Sequence, residues 1–181
     1  MRNYVCLGGG VDVVPVLLEI AKQPELWNKN QLRTTHPQSP HTQASDIWLR
    51  FNELPEPGLE HLVADEHESI WYPAADKLPA AKELIFALMA RVKGIRLGRC
   101  LISRLAPGKK IDAHEDGGSH ADYYERFHIA LQSGPGCIFR TGDETVQMRT
   151  GEVWWFENSI EHEVINNSAD DRIHLIVDIK T

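Results

Sequence analysis

The sequence predicts a mainly β protein with helices at its N-terminus and a β-barrel or β-sandwich in its C-terminal half. Three observations carry that expectation. After residue 97, short runs recur between glycine-containing or polar breaks: GRCLISRL, KKIDAH, YERFHIAL, GCIFRT, ETVQMRT, EVWWFEN, EHEVINN and RIHLIVDI. About eight short strands at regular spacing mark a barrel or sandwich. Before residue 97, two segments carry apolar residues at helical spacing, and no repeat or low-complexity tract appears. The expected organisation is a single domain, 1–181, with helices and loops over 1–97 covering a barrel over 98–181 and supplying substrate contacts.

The elements follow in order. VDVVPVLLEIAKQPELW (11–27) has helical spacing with Pro15 near its start, where proline is tolerated. LGGG (7–10) lacks the ending of a phosphate loop and reads as a flexible turn. NKNQLRTTHPQSPHTQASD is a long polar, proline-bearing stretch of the kind that serves as a lid or binding segment. His36 and His41 within it read as exposed loop residues; if the segment is a lid, they and Arg33 face substrate. DIWLRFNEL is a short strand candidate, and KLPAAKELIFALMARVKG (77–94) is the strongest helix, with good helix formers, an apolar stripe and a closing glycine. Trp154 and Trp155 point opposite ways on their strand.

Composition narrows the function. Hydrophobic residues at 42 % and charged residues at 25 % suit a globular protein, and a net charge of −7 argues against nonspecific nucleic-acid or anionic-membrane binding. No apolar stretch approaches the ~20 residues of a membrane span. Cys6, Cys100 and Cys137 lie far apart without a CxxC pair, which fits reduced thiols. The N-terminus faintly resembles a signal peptide, but Asp12 interrupts its apolar run and no clean cleavage site follows, so the expected location is cytoplasmic.

In IDAHEDGGSH, His114 and Asp116 stand two apart at a strand end and share a face. The bland alternative is a polar turn made by Asp116, Gly117 and Gly118. Further on, His162 opens an alternating strand in EHEVINN. Two histidines and a carboxylate with open positions form the facial set of non-haem Fe(II) oxygenases. His120 is a less favoured substitute ligand, because it lies beyond the two glycines. Arg172, ten residues after His162, is either a solvated strand-edge charge or a planar fork for a carboxylate. Arg126 and His128 share one face of YERFHIAL while Phe127, Ile129 and Leu131 share the other; if the apolar face packs on helices, the Arg/His face lines the barrel. His174 shares the Arg172 face, either lining the cavity or satisfied in the core, and Asp170–Asp171 reads as a solvated turn.

SRLAPGKKIDAHEDGG, RFHIAL and GDETVQMRTGEVWWFENSIEHEVINNSADDRIHLIVDI together resemble the aspartyl/asparaginyl β-hydroxylase family over roughly residues 98–179. That resemblance implies a double-stranded β-helix (a jelly-roll, cupin-like fold) and an Fe(II)- and 2-oxoglutarate-dependent dioxygenase. It implies metal ligation by His114 and His162, and 2-oxoglutarate contacts from Ser103, Arg126, His128 and Arg172. The best-known members lack a carboxylate two residues after the first histidine, so Asp116 looks more like the branch acting on free proline. The interval from His114 to Arg126 is also longer than the family's. The expected reaction is hydroxylation of an amino acid, or of an aspartyl, asparaginyl or prolyl residue, using O2 and releasing succinate and CO2. The rivals are a non-enzymatic cupin-like domain holding a metal or dicarboxylate, and a nucleic-acid demethylase. The latter is disfavoured because IHLIVDIKT after Arg172 holds no second arginine. Residues 28–60 are expected to select substrate.

Overall fold

The structure is a computed structural model that describes residues 2–53 and 65–181. All eight strands expected after residue 97 are present: β4 (Arg96–Leu105), β5 (Lys110–His114), β6 (Glu125–Gln132), β7 (Cys137–Thr141), β8 (Glu144–Val146), β9 (Val153–Phe156), β10 (His162–Asn166) and β11 (Arg172–Lys180). The N-terminal part contributes β1 (Tyr4–Gly8), β2 (Ala44–Phe51) and β3 (Ile70–Trp71). Two antiparallel sheets result, one in the order β1-β9-β6-β11-β4-β2-β3 and one in the order β5-β10-β7-β8. They face each other as a double-stranded β-helix. Only β2 among the N-terminal strands was expected, so this part is more than a helical cover. LGGG is correspondingly not a free turn, since Leu7 and Gly8 extend β1.

Strand parity separates a core under the helices from one between the sheets. On β6, Phe127, Ile129 and Leu131 point outward to join Ile173, Leu175, Val177 and Ile179 of β11. Helices α1 (Val14–Ala21) and α4 (Pro79–Val92), the latter preceded by the single turn α3 (Ala74–Lys77), cover that face with Val16, Ile20, Ile85 and Leu88. Each such aliphatic burial contributes about 1.5–3 kcal/mol. Between the sheets, Tyr4, Phe139, Met148, Trp154, Phe156 and Val164 form the second core. Trp154 packs there and Trp155 on the helix side, as their parity requires. The Arg/His face of β6 therefore turns into the barrel.

Two helix ends differ from expectation. The first helix stops at Ala21, because Pro24 cannot donate to a continuing helix and opens a 3-10 turn, Pro24–Leu26. The second is capped by Lys93 in the left-handed conformation (φ 55°), not by Gly94. Gly94 matters for packing instead. A Cβ there would lie 2.4 Å from Ile179 Cγ2, so glycine permits the close approach of this corner to β11. The polar segment folds back over the barrel through α2 (Leu32–Thr35), with Asn28 N–H donating to Asp46 O and Asp112 N–H donating to Pro40 O. Residues 54–60 of the expected selectivity segment, including Leu54 of DIWLRFNEL, lie outside the described residues.

Candidate active site

His114 closes β5 and His162 opens β10, and the two are cross-strand partners. Asp116 follows β5, its backbone N–H donating to Asn158 O at 3.1 Å. One ligand atom from each of the three residues lies within 4.8 Å of the others. His114 Nε2 is 3.6 Å from Asp116 Oδ1, and His162 Nε2 is 3.9 Å from Asp116 Oδ2. The local backbone sets both imidazole tautomers. His114 Nδ1–H donates to Asp112 O at 2.7 Å, and His162 Nδ1–H donates to Ile160 O at 2.9 Å. A carbonyl only accepts, so the lone pair of each ring sits on Nε2, the arrangement a metal ligand needs. Burial pushes the His162 pKa down to about 4, so its ring is neutral at neutral pH. His114 Nε2 is buried and has no hydrogen-bond partner among the described residues. An orphaned acceptor beside a second imidazole and a carboxylate is the donor set an octahedral Fe(II) accepts, so these residues fit the metal.

The opposite wall comes from the large sheet. Arg172 begins β11, is 3 % exposed, and donates from Nη2 to His174 Nδ1 at 3.1 Å. Its guanidinium carbon lies 5.9 Å from the Phe139 ring centroid. Among the described residues no carboxylate lies within ion-pair distance of it, and burial draws its pKa down to about 10. It is not a solvated strand-edge charge. His128 Nδ1 lies 3.2 Å from His174 Nδ1; burial, and then the Arg172 charge, hold both imidazoles neutral. Ser103 is buried on β4, its hydroxyl accepting from Arg33 Nη2 at 3.3 Å. Arg126 also turns inward, but its fork is engaged: Nε and Nη2 donate to Asp178 at 2.8 and 3.0 Å, and Nη1 donates to Asp116 Oδ2.

One cavity joins several of these groups. Its wall includes Arg33, His41, His114, Arg126, His128, His162 and Arg172, with Phe139, Phe156 and Ile176 as apolar surface. His41 was expected to be exposed, as His36 is; instead its ring centroid lies 4.9 Å from that of His114 and its Nδ1 is buried without a partner. The fold-back that ties Pro40 O to Asp112 puts it there. Arg33 is held by Asp46, Nε–Oδ2 2.8 Å and Nη2–Oδ1 2.9 Å. His120 lies outside the His114–Asp116–His162 cluster, and its Nε2–H donates to Asp178 Oδ2 at 3.0 Å. His174 belongs to the core behind Arg172 and His128. Asp46 and Asp178 went unrecognised as site residues. The available signal was a lone carboxylate in an apolar strand, Asp178 sharing parity with Arg172 and His174.

A family model described as aspartyl/asparaginyl beta-hydroxylase matches residues 18–181. The chain is 31 % identical over 58 residues to L-proline cis-3-hydroxylase 1 of a Streptomyces species. That match covers 32 % of this chain and 20 % of the relative, so the chain matches about a fifth of its length. Among solved structures, an oxidoreductase of the 2OG-Fe(II) oxygenase family from Burkholderia pseudomallei superposes with a TM-score of 0.60 at 16 % identity, over 99 % of this chain and 84 % of that one. A Pseudomonas putida prolyl-4-hydroxylase gives 0.56 at 16 % identity, over 98 % and 92 %. A Trichoplax adhaerens prolyl hydroxylase, in complex with a hypoxia inducible factor oxygen degradation domain peptide fragment, gives 0.61 at 11 % identity, over 99 % and 84 %. These likenesses show the shared fold. The family match runs from α1 to the C-terminal residue and includes the whole His114–Asp116–His162 cluster: the chain belongs to the aspartyl/asparaginyl β-hydroxylase family.

Proposed function

We propose that this protein is an Fe(II)- and 2-oxoglutarate-dependent dioxygenase that hydroxylates an amino acid, or an aspartyl, asparaginyl or prolyl residue, and releases succinate and CO2. The observation that carries this proposal is Arg172, a buried guanidinium without a carboxylate partner among the described residues, in the same cavity wall as the two histidines. An uncompensated buried cation is costly, and a dicarboxylate reaching from the metal would supply its counter-charge. His114, Asp116 and His162 would hold the metal, and when bound Fe(II) supplies the redox chemistry that couples O2 activation to decarboxylation of 2-oxoglutarate.

The chain's own residues bind, orient and exclude water. Arg172 fixes the far carboxylate, with Phe139 and Ile176 providing apolar surface along the wall. His128 and Ser103 are assigned to the same co-substrate. Neutral His174 accepts from Arg172 and so orients the fork without cancelling its charge. Arg33 and His41, carried by the segment folded over the barrel, are assigned to substrate. The name of the proline hydroxylase relative makes free L-proline the first candidate, and the peptide bound to the Trichoplax neighbour makes a prolyl peptide the second. The three cysteines are unpaired, which supports a cytoplasmic location. Residues 1–181 are taken to act as one domain.

Succinate release in the presence of Fe(II), 2-oxoglutarate and O2, with and without L-proline, aspartate and short prolyl or aspartyl peptides, tests the proposal. Turnover stimulated by one of these and lost in His162→Ala is the expected result. Undiminished turnover in His162→Ala would remove the metal assignment, and no consumption of 2-oxoglutarate would leave the non-enzymatic binding domain.

A further inference from the structure

We propose that Asp178 and His120, acting through Arg126, are positioning residues that orient Asp116 so that it offers the metal one oxygen; this rests on the iron site proposed above. Arg126 on β6 and Asp178 on β11 are cross-strand partners. The two-point contact of Arg126 Nε and Nη2 with Asp178 fixes the guanidinium plane and aims Nη1 at Asp116 Oδ2. The other oxygen, Oδ1, faces His114 Nε2 at 3.6 Å, while Oδ2, held by the arginine, lies 3.9 Å from His162 Nε2. Two histidines and a carboxylate leave half an octahedron open only if the carboxylate takes one position. A cation clamping Oδ2 favours that mode over two-oxygen ligation.

The cluster is built, not incidental. Asp178 is 2 % exposed and His120 is 6 % exposed, and neither is placed in the metal cluster. A buried ion pair in an apolar strand is weak support for stability, since an apolar residue would serve the sheet as well. His120 comes from α5 (Ser119–Tyr123), which occupies the extra length between His114 and Arg126 noted in the sequence. That insertion delivers an imidazole N–H onto the carboxylate holding the arginine. One guanidinium between two carboxylates also leaves net negative charge for a divalent cation.

The probe is Co(II), titrated anaerobically into the full chain and followed by its visible d–d bands. Asp178→Asn is expected to weaken Co(II) binding by about 10–100-fold, the usual effect of removing a partner that orients a ligand. Arg126→Lys, which keeps the charge but loses the fork, is expected to do the same. A packing role would lower the melting temperature and leave the titration unchanged, which would overturn the proposal. So would unchanged Co(II) binding with weakened 2-oxoglutarate binding, which would assign Arg126 to the co-substrate. If Asp178→Asn does not fold, His120→Leu carries the test, with weaker Co(II) binding expected and unaltered binding overturning. Failure of the wild-type chain to take Co(II) would strike the iron site itself.

Discussion

Replacing Arg172 with methionine separates affinity from stability, and the two are expected to move in opposite directions. The guanidinium is 3 % exposed and its protein hydrogen bond goes to the neutral ring of His174 at 3.1 Å. Methionine of similar length removes a buried charge with no carboxylate partner among the described residues, and with it a desolvation penalty of several kcal/mol per ion, so stability is expected to hold or rise. For a chain of this size each kcal/mol raises the melting temperature by about 2–4 °C. The same change leaves the far carboxylate of 2-oxoglutarate without two charge-assisted bonds, each worth about 1.5–3 kcal/mol. A total loss of about 3–6 kcal/mol weakens 2-oxoglutarate binding by roughly 150- to 25,000-fold. Anaerobic calorimetry on the Fe(II)-loaded protein reads the affinity, and thermal denaturation of the metal-free protein reads the stability. Wild-type affinity in Arg172→Met, or a melting temperature lowered by 10 °C or so, would refute the reasoning.

Three further outcomes follow from the same structure. Burial holds His128 and His174 neutral when folded, whereas in the unfolded chain each takes up a proton near pH 6.5. Their contribution is therefore present above that pH and lost as pH falls, at about 1.4 kcal/mol per histidine per pH unit, readable in urea titrations between pH 7 and 5. His41→Phe keeps the ring against His114 and removes Nδ1; the substrate KM is expected to rise about 3–10-fold while that for 2-oxoglutarate stays unchanged. Gly94→Ala puts a methyl 2.4 Å from Ile179 Cγ2 and is expected to cost about 1–3 kcal/mol by denaturant unfolding, with the metal site unaffected.

What the sequence revealed follows from which interactions are local. Alternation along YERFHIAL and RIHLIVDI predicts two faces, and the helix-covered core confirms which is outward. His114 and Asp116 are readable as a pair because a strand end aims them together, and His162 because it opens the next alternating run. The fork of Arg126 was not readable. It depends on β6 lying directly against β11 in the register Arg126↔Asp178, which no local pattern encodes. β1 was hidden because its burial does not alternate, and it is recruited by the edge of β9. His41 was misread because the loop that carries it is held by a backbone bond from Asp112 to Pro40, a contact between distant segments.

The most direct measurement is an anaerobic titration of the metal-free protein with Fe(II), then 2-oxoglutarate, watching for the visible charge-transfer band of the chelate. The band is expected on addition of 2-oxoglutarate, and is expected to be absent in His114→Ala, where the buried Nε2 is gone. Iron binding with no band in the wild-type protein would contradict the dioxygenase assignment and leave a metal-binding barrel of another kind.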